Sequence, residues 1–198
     1  IKRGLKTVMI FYSARNLEKQ IEEADKQIGG IIRNNLMNVD SLRVLLVGDN
    51  PEDLKEKYYG CNRYEGPDAM HGTHVSGIIA AKNDNGIGIN GIAKNAKIMV
   101  LRAVPNGDER DKDIANAIYY AVDNGAKIIN MSFGKYYTPS KELIDEAILY
   151  AKSKDVLLVH AAGNDAKDKN KEDSYPTRVG VLKDGSNAPN WLEVGASS

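Results

Sequence analysis

His71 and His74 stand three residues apart in the segment His71-Gly72-Thr73-His74-Val75-Ser76-Gly77, which runs on into Ile78-Ile79-Ala80-Ala81. A histidine that works as a general base must be mostly neutral near pH 7, accessible and held in one tautomer. On the first turn of a helix His71 can face a cleft, with Val75, Ile78 and Ile79 supplying a buried face behind it. Gly72 and Gly77 permit close backbone approach. Three roles are open to the pair on residue type alone. It can hold a general base, it can be a capping or hydrogen-bonded core pair, or it can share a metal ion with an acid such as Asp68 or Glu65. No Glu follows His71 directly, as a zinc-protease helix requires, so the metal reading loses ground.

Other segments carry chemistry of a different kind. Ala161-Ala162-Gly163-Asn164-Asp165 follows an apolar run. An asparagine amide at a strand end, after a glycine that opens space, suits a donor aimed at a developing oxyanion. The same composition also suits an ordinary turn. Ser132 is a nucleophile by type but lacks the flanking glycines of a nucleophile turn. The run Asn83-Asp84-Asn85-Gly86-Ile87-Gly88-Ile89-Asn90-Gly91 offers oxygen ligands on a glycine-rich loop. Asn83 and Asp84 are thus weak calcium candidates beside the reading as a plain turn. His160 reads as a core residue.

Taken together these segments resemble the subtilases, the subtilisin-like serine proteases. His71 to Gly77 resembles that family's His-Gly-Thr-His-Val-(small)-Gly, Ala161–Asn164 its Ala-Ala-Gly-Asn, and Asn130-Met131-Ser132-Phe133-Gly134 its Asn-Met-Ser-Leu-Gly. Tyr175-Pro176-Thr177 resembles its Tyr-Pro-Ala, where a cis peptide bond is expected. The resemblance implies that His71 is the catalytic base, with His74, Gly72 and Gly77 in support, and that Asn164 is the oxyanion donor. It implies that Ser132, Phe133 and Gly134 pair with a substrate backbone, a mode that tolerates many sequences. Gly163 and Asp165 then border the specificity pocket, and Asp165 biases it toward basic side chains. Lys135 replaces a common glycine and makes the rim more basic. The calcium that many subtilases carry corresponds to the 83–91 loop. Catalysis requires no cofactor, and the calcium is structural.

The match is specific over residues 58–198 and has two departures. Subtilases run Asp, then His, then Ser along the chain. No Asp-(Ser/Thr)-Gly precedes His71, since Asp40-Ser41-Leu42 lacks the glycine and Asp49-Asn50-Pro51 reads as a turn. No Gly-Thr-Ser-Met-Ala follows Asn164. The expectation is the middle of the catalytic domain of a secreted or cell-envelope bacterial serine endopeptidase, inactive alone and completed by flanking segments of the same protein. The alternative is a non-catalytic pseudo-protease that holds peptides in the groove.

The elements that must position these residues are legible as patterns. The spacing of Ile114, Ala117, Ile118, Ala121 and Val122 predicts a helix capped by Asp111 or Asp113 and ended by Gly125. Leu143, Ile144, Ala147, Ile148 and Ala151 predict a second helix, started by Thr138-Pro139. Lys97–Leu101, Lys127–Met131, Val156–Ala161 and Trp191–Ala196 read as strands. Short apolar strands between amphipathic helices imply a three-layer α/β/α architecture with a mainly parallel sheet, here incomplete. Working residues then sit at strand carboxyl ends, in loops 105–110, 132–137 and 162–168.

Residues 1–57 differ in style. Leu17, Ile21, Ala24 and Ile28 form a narrow helical stripe, Gly29-Gly30 interrupts it, and the segment reads as a helical hairpin inserted before the catalytic part at 58–198. A flexible charged arm is the other reading. The 27 basic and 27 acidic side chains cancel, so no global field favours nucleic acid. No apolar run approaches the roughly 18 residues of a membrane span. One cysteine, Cys61, excludes an internal disulfide. Sheet edges exposed by missing strands point to strand pairing or a homodimer.

Overall fold

The computed structural model describes residues 43–65, 69–105, 107–169 and 171–196. The chain divides into two compact units, Ile1–Pro51 and Glu52–Ser198. In the first, the described part is a π-helical turn, Arg43–Val47. The Arg43 guanidinium ties it to the buried Asp49 carboxylate, 2.5 Å away. The helical hairpin expected over 13–38 lies outside the described residues.

The second unit holds α1 (Met70–Ala80), α2 (Asp111–Asp123), β1 (Ile128–Met131), α3 (Lys141–Ser153), β2 (Leu157–Ala161) and β3 (Trp191–Val194). The three strands form a parallel sheet in the order β1-β2-β3. The register sets Ile129, Leu158 and Trp191 in one row and Met131, His160 and Glu193 in the row nearer the carboxyl ends. Alternation along the strands puts both rows on the same face. Leu158, Met131 and Trp191 there are buried in one cluster with α2 and α3. The other face is open, with Ile128, Leu192 and Val194 more than half exposed.

The two core helices follow the sequence pattern closely. α2 buries Ile114, Ala115, Ile118, Ala121 and Val122. Ala115 takes the core position expected of Ala117, which is half-buried. Gly125, with φ +86°, turns the chain, and the amides of Gly125 and Ala126 satisfy the carbonyls of Val122 and Ala121. α3 buries Ile144, Ala147, Ile148 and Ala151. It begins after Ser140 rather than at Thr138-Pro139. The Ser140 amide donates to the Asp111 carboxylate, so an acid from α2 does the work expected of a threonine cap. The segment after Glu52 is pinned along α2. Tyr59 donates to Asp113, Asn116 donates to the Glu56 carbonyl, and Lys112 pairs with Glu56.

Two expectations fail. Lys97–Leu101 is not a buried strand. It has no ladder partner among the described residues, and Ile98, Met99, Val100 and Leu101 are exposed. An apolar run becomes a strand only where another strand takes its backbone groups, and none is described beside it. The apolar residues of α1 are likewise not buried, since Val75 and Ile79 are intermediate and Ile78 is exposed. What fixes α1 is its carboxyl end. The amides of Ile92 and Ala93 donate to the carbonyls of Ile78 and Ile79, and Gly91 N–H donates to Ala81. A Cβ on Gly91 would stand 2.3 Å from the Ala81 nitrogen, so this return is open to glycine alone.

Candidate active site

Between the loops that leave β1 and β2 lies a cleft of about 300 Å³. One wall is Ser132, Phe133 and Gly134, and the other runs from Ala161 through Gly163, Asn164 and Asp165. This is the carboxyl end of a parallel sheet, where diverging loops leave a crevice. Gly163 has φ +95°, a conformation costly for any side chain, and turns the chain so that Asn164 is exposed at the cleft. Ser132 is half-buried, and its hydroxyl accepts a 2.8 Å bond from the Asn130 amide.

The groove wall is anchored behind the cleft. Lys135 exchanges backbone hydrogen bonds with Tyr175, 2.9 and 2.8 Å long, and the Tyr175-Pro176 bond is cis. The Lys135 side chain does not make the rim basic. It is buried, 2.6 Å from the Asp111 carboxylate and 2.8 Å from the Glu109 carbonyl. A buried ammonium needs such a partner, because desolvation otherwise costs several kcal/mol, on the order of that for any ion. A cavity of about 10 Å³, the size of one water, lies beside Glu109, Lys135 and Thr138. The Glu109 Oε1 and Thr138 Oγ1 atoms are buried without hydrogen-bond partners. Burial pushes the Glu109 carboxyl above its usual range.

Charges at the cleft mouth are paired with one another. The Tyr136 hydroxyl donates to Asp165, which raises the phenol's pKa. Lys167 lies 3.8 Å over the Tyr136 ring and 2.8 Å from Glu172. Lys169 sits 3.2 Å from Glu193 and also bonds Ser174. Asp165 therefore meets the cleft with a partner already in place.

His160 combines two roles. It is buried in the sheet, as read from the sequence, yet it also lines the cleft. Its Nδ1 is 3.2 Å from both Glu193 oxygens, and the Trp191 indole N–H donates to Glu193 at 2.7 Å. Burial lowers the imidazole pKa against the opposing pull of Glu193. Burial alone would raise Glu193, but the Trp191 donor and His160 outweigh it and hold the carboxyl low. Alternation in β2 places His160 with Leu158 and could have flagged it. Glu193, Lys169 and Tyr136 carry no such signal, since only the fold brings them here.

The remaining site residues lie apart from this cleft. His71 and His74 are exposed on the first turns of α1, flanking Gly72, and neither lines it. No third His, Cys, Asp or Glu stands with them as a metal cluster among the described residues. Asp68 lies outside those residues. In the 83–91 loop, Asn85 accepts from Ile87 N–H and Asn90 from Asp84 N–H. The Asn83 Oδ1 is buried and unpartnered. Asn83 and Asp84 bring an amide oxygen and a carboxylate to this loop.

Known proteins are similar to this chain. Residues 47–198 match the subtilase family. The chain is 39% identical over 135 residues to a thermophilic serine proteinase of Bacillus sp. (strain AK1), covering 63% of this chain and 33% of that protein. It is 37% identical over 131 residues to a cell wall-associated protease of Bacillus subtilis (strain 168), covering 66% of this chain and 14% of that protein. The solved structure of sphericase aligns with a TM-score of 0.51 and 32% identity, over 68% of this chain and 40% of the other. The chain therefore spans a third or less of those two relatives' length. With its family match extending over most of its residues, and with a parallel α/β sheet that opens into a cleft at its carboxyl ends, this chain belongs to the subtilase family.

Proposed function

We propose that the chain is the central part of a subtilisin-like serine endopeptidase that hydrolyses peptide bonds in proteins. The observation that carries this reading is the cleft between Ser132–Gly134 and Gly163–Asp165, with Asn164 exposed at its wall. An extended peptide pairs with the Ser132–Gly134 backbone. Asn164 donates to the oxyanion that forms when the scissile carbonyl is attacked. In the whole protein, where α1 would stand at this cleft, His71, supported by His74, takes the proton from the attacking serine and returns it to the leaving amine. The sequence contains neither the Asp-(Ser/Thr)-Gly nor the Gly-Thr-Ser-Met-Ala segment, so the aspartate and serine come from flanking segments of the same protein. The chain alone binds peptides without cleaving them. Assays with casein and peptide esters test this. Hydrolysis by this chain, abolished by His71→Ala, would overturn it.

Calcium belongs to the proposal as a structural ion. Asn83 and Asp84 would hold it on the 83–91 loop, where it supplies charge compensation and stiffening rather than chemistry. Calcium then raises the thermal midpoint and a chelator reverses the rise, while Asp84→Asn removes the response. No change in midpoint at millimolar calcium rejects the site. The cell wall-associated relative supports a secreted or envelope location, and recovery only from the cytoplasmic fraction would count against it.

A further inference from the structure

We propose that His160 is a specificity-determining residue of this cleft: its Nε2 accepts a hydrogen bond from a substrate side chain that ends in an uncharged N–H donor, with the glutamine amide the best fit. This rests on reading the cleft as a peptide groove.

Two observations lead there. First, the Glu193 carboxylate fixes the imidazole. It receives the Trp191 indole N–H at 2.7 Å and the Lys169 ammonium at 3.2 Å, so it is an anion, and His160 Nδ1 faces both of its oxygens at 3.2 Å. A carboxylate only accepts, so Nδ1 carries the proton. A neutral imidazole has one N–H, which leaves a lone pair on Nε2. Second, Nε2 is buried and has no hydrogen-bond partner. The residue is 1% exposed and lines the cleft. The ring lies beneath Gly134, where an added Cβ would stand 3.7 Å from Nε2. It is held by Trp191 at 5.1 Å and by Phe133, edge-on, at 6.4 Å.

Charge decides against an anionic side chain. Lys167 pairs with Glu172, Lys169 with Glu193, and Asp165 accepts from Tyr136. A glutamate entering the cleft would lose hydration and find Lys167 and Lys169 already paired. A glutamine loses less and supplies the bond that Nε2 lacks. A site with a buried acceptor discriminates against an analogue without the donor, because the acceptor is then left unpaired.

The test titrates the ¹⁵N-labelled chain with three pentapeptides, Gly-Ala-Xaa-Ala-Gly, in which Xaa is Gln, Met or Glu. Met matches Gln in size without the donor, and Glu matches it in shape with a charge. The expected result is roughly tenfold tighter binding of the Gln peptide than of either other, the value of one recovered hydrogen bond. His160→Phe keeps a ring of similar size. It is expected to level Gln with Met while shifts at Ser132–Lys135 persist. Equal affinities in the wild-type chain, or a preference for Met or Glu, overturn the proposal and leave the groove reading intact. Shifts absent at Ser132–Lys135 for all three peptides overturn the groove reading and this one with it. Long-range ¹⁵N spectra of the imidazole give an independent arm. An unprotonated Nε2 at pH 7.5 supports the proposal, and a proton on Nε2 overturns it even if the His160→Phe chain fails to fold.

Discussion

Glu109 shows how one buried carboxyl ties stability to pH. Its side chain is 4% exposed, and Oε1 has no partner. Burial raises its pKa above the ordinary 4.5, against the pull of its own backbone amide and of Lys135. The folded chain therefore holds this proton more tightly than the unfolded chain does. Stability from this group is full below about 4.5 and is lost as pH rises through the folded pKa. Glu109→Gln keeps the shape and removes the titration. It should raise the urea midpoint relative to the wild type at pH 7 and leave the difference smaller at pH 4; an equal effect at both pH values would show that ionisation is not the cause. None of this was legible in the sequence. Lys135 could be seen to replace a glycine, but its contact lies 26 positions away at Glu109, and residue type gives no account of where an ammonium will bury itself. The places of Asn164 and Ser132 at the cleft were legible because their neighbours in sequence specify a local turn or strand end, whereas His71, expected to face a cleft, does not line this one. Glu193 was not, because its meaning depends on a histidine in the next strand.

At the scale of elements, α2 and β2 were legible nearly to the residue, and α3 in its core face though not in its start. A helix that packs on a core repeats its apolar side chains at helical spacing, and that repeat is a local property. Lys97–Leu101 failed for the complementary reason: a strand is defined by what pairs with it. α1 failed in burial for the same cause, since its sequence supplies apolar residues but no surface to cover them. Its carboxyl end depends on the hairpin-like return at Gly91. Gly91→Ala puts a methyl group where the Ala81 nitrogen already is, and overpacking of this kind costs about 1–3 kcal/mol. The loss should be local. Hydrogen exchange is expected to speed up at the Ile92 and Ala93 amides, which donate to α1, while amides of α2 and α3 keep their protection. Protection unchanged at residues 92 and 93 would mean that the return is not held by this contact.

The whole second unit has a covered face and an open one. Among the described residues β1 pairs only with β2, and Ile128, Leu192 and Val194 are exposed. Unpaired edges and open apolar faces recruit partners. We propose that these edges pair with flanking segments of the same protein, or with a second copy when those are absent. Sedimentation of the isolated chain should show reversible dimers that grow with concentration, and Ile128→Lys should shift the equilibrium toward monomer. A chain monomeric throughout the accessible range would remove the homodimer from the proposal.

The buried cluster also has an order in time. Ile114, Ala115, Ile118, Val122, Met131, Ile144, Ala147, Ile148, Ala151, Val156 and Leu158 all come from one unbroken stretch, and only Val181, Ala188 and Trp191 arrive later. Contacts that are short along the chain close small loops, and small loops close quickly. A growing polypeptide can thus pack α2 against α3 and β1 against β2 while Trp191 is still to be synthesised. The cleft matures in the opposite sense. Its histidine waits for Glu193, so the binding surface is completed only after the scaffold beneath it has already set.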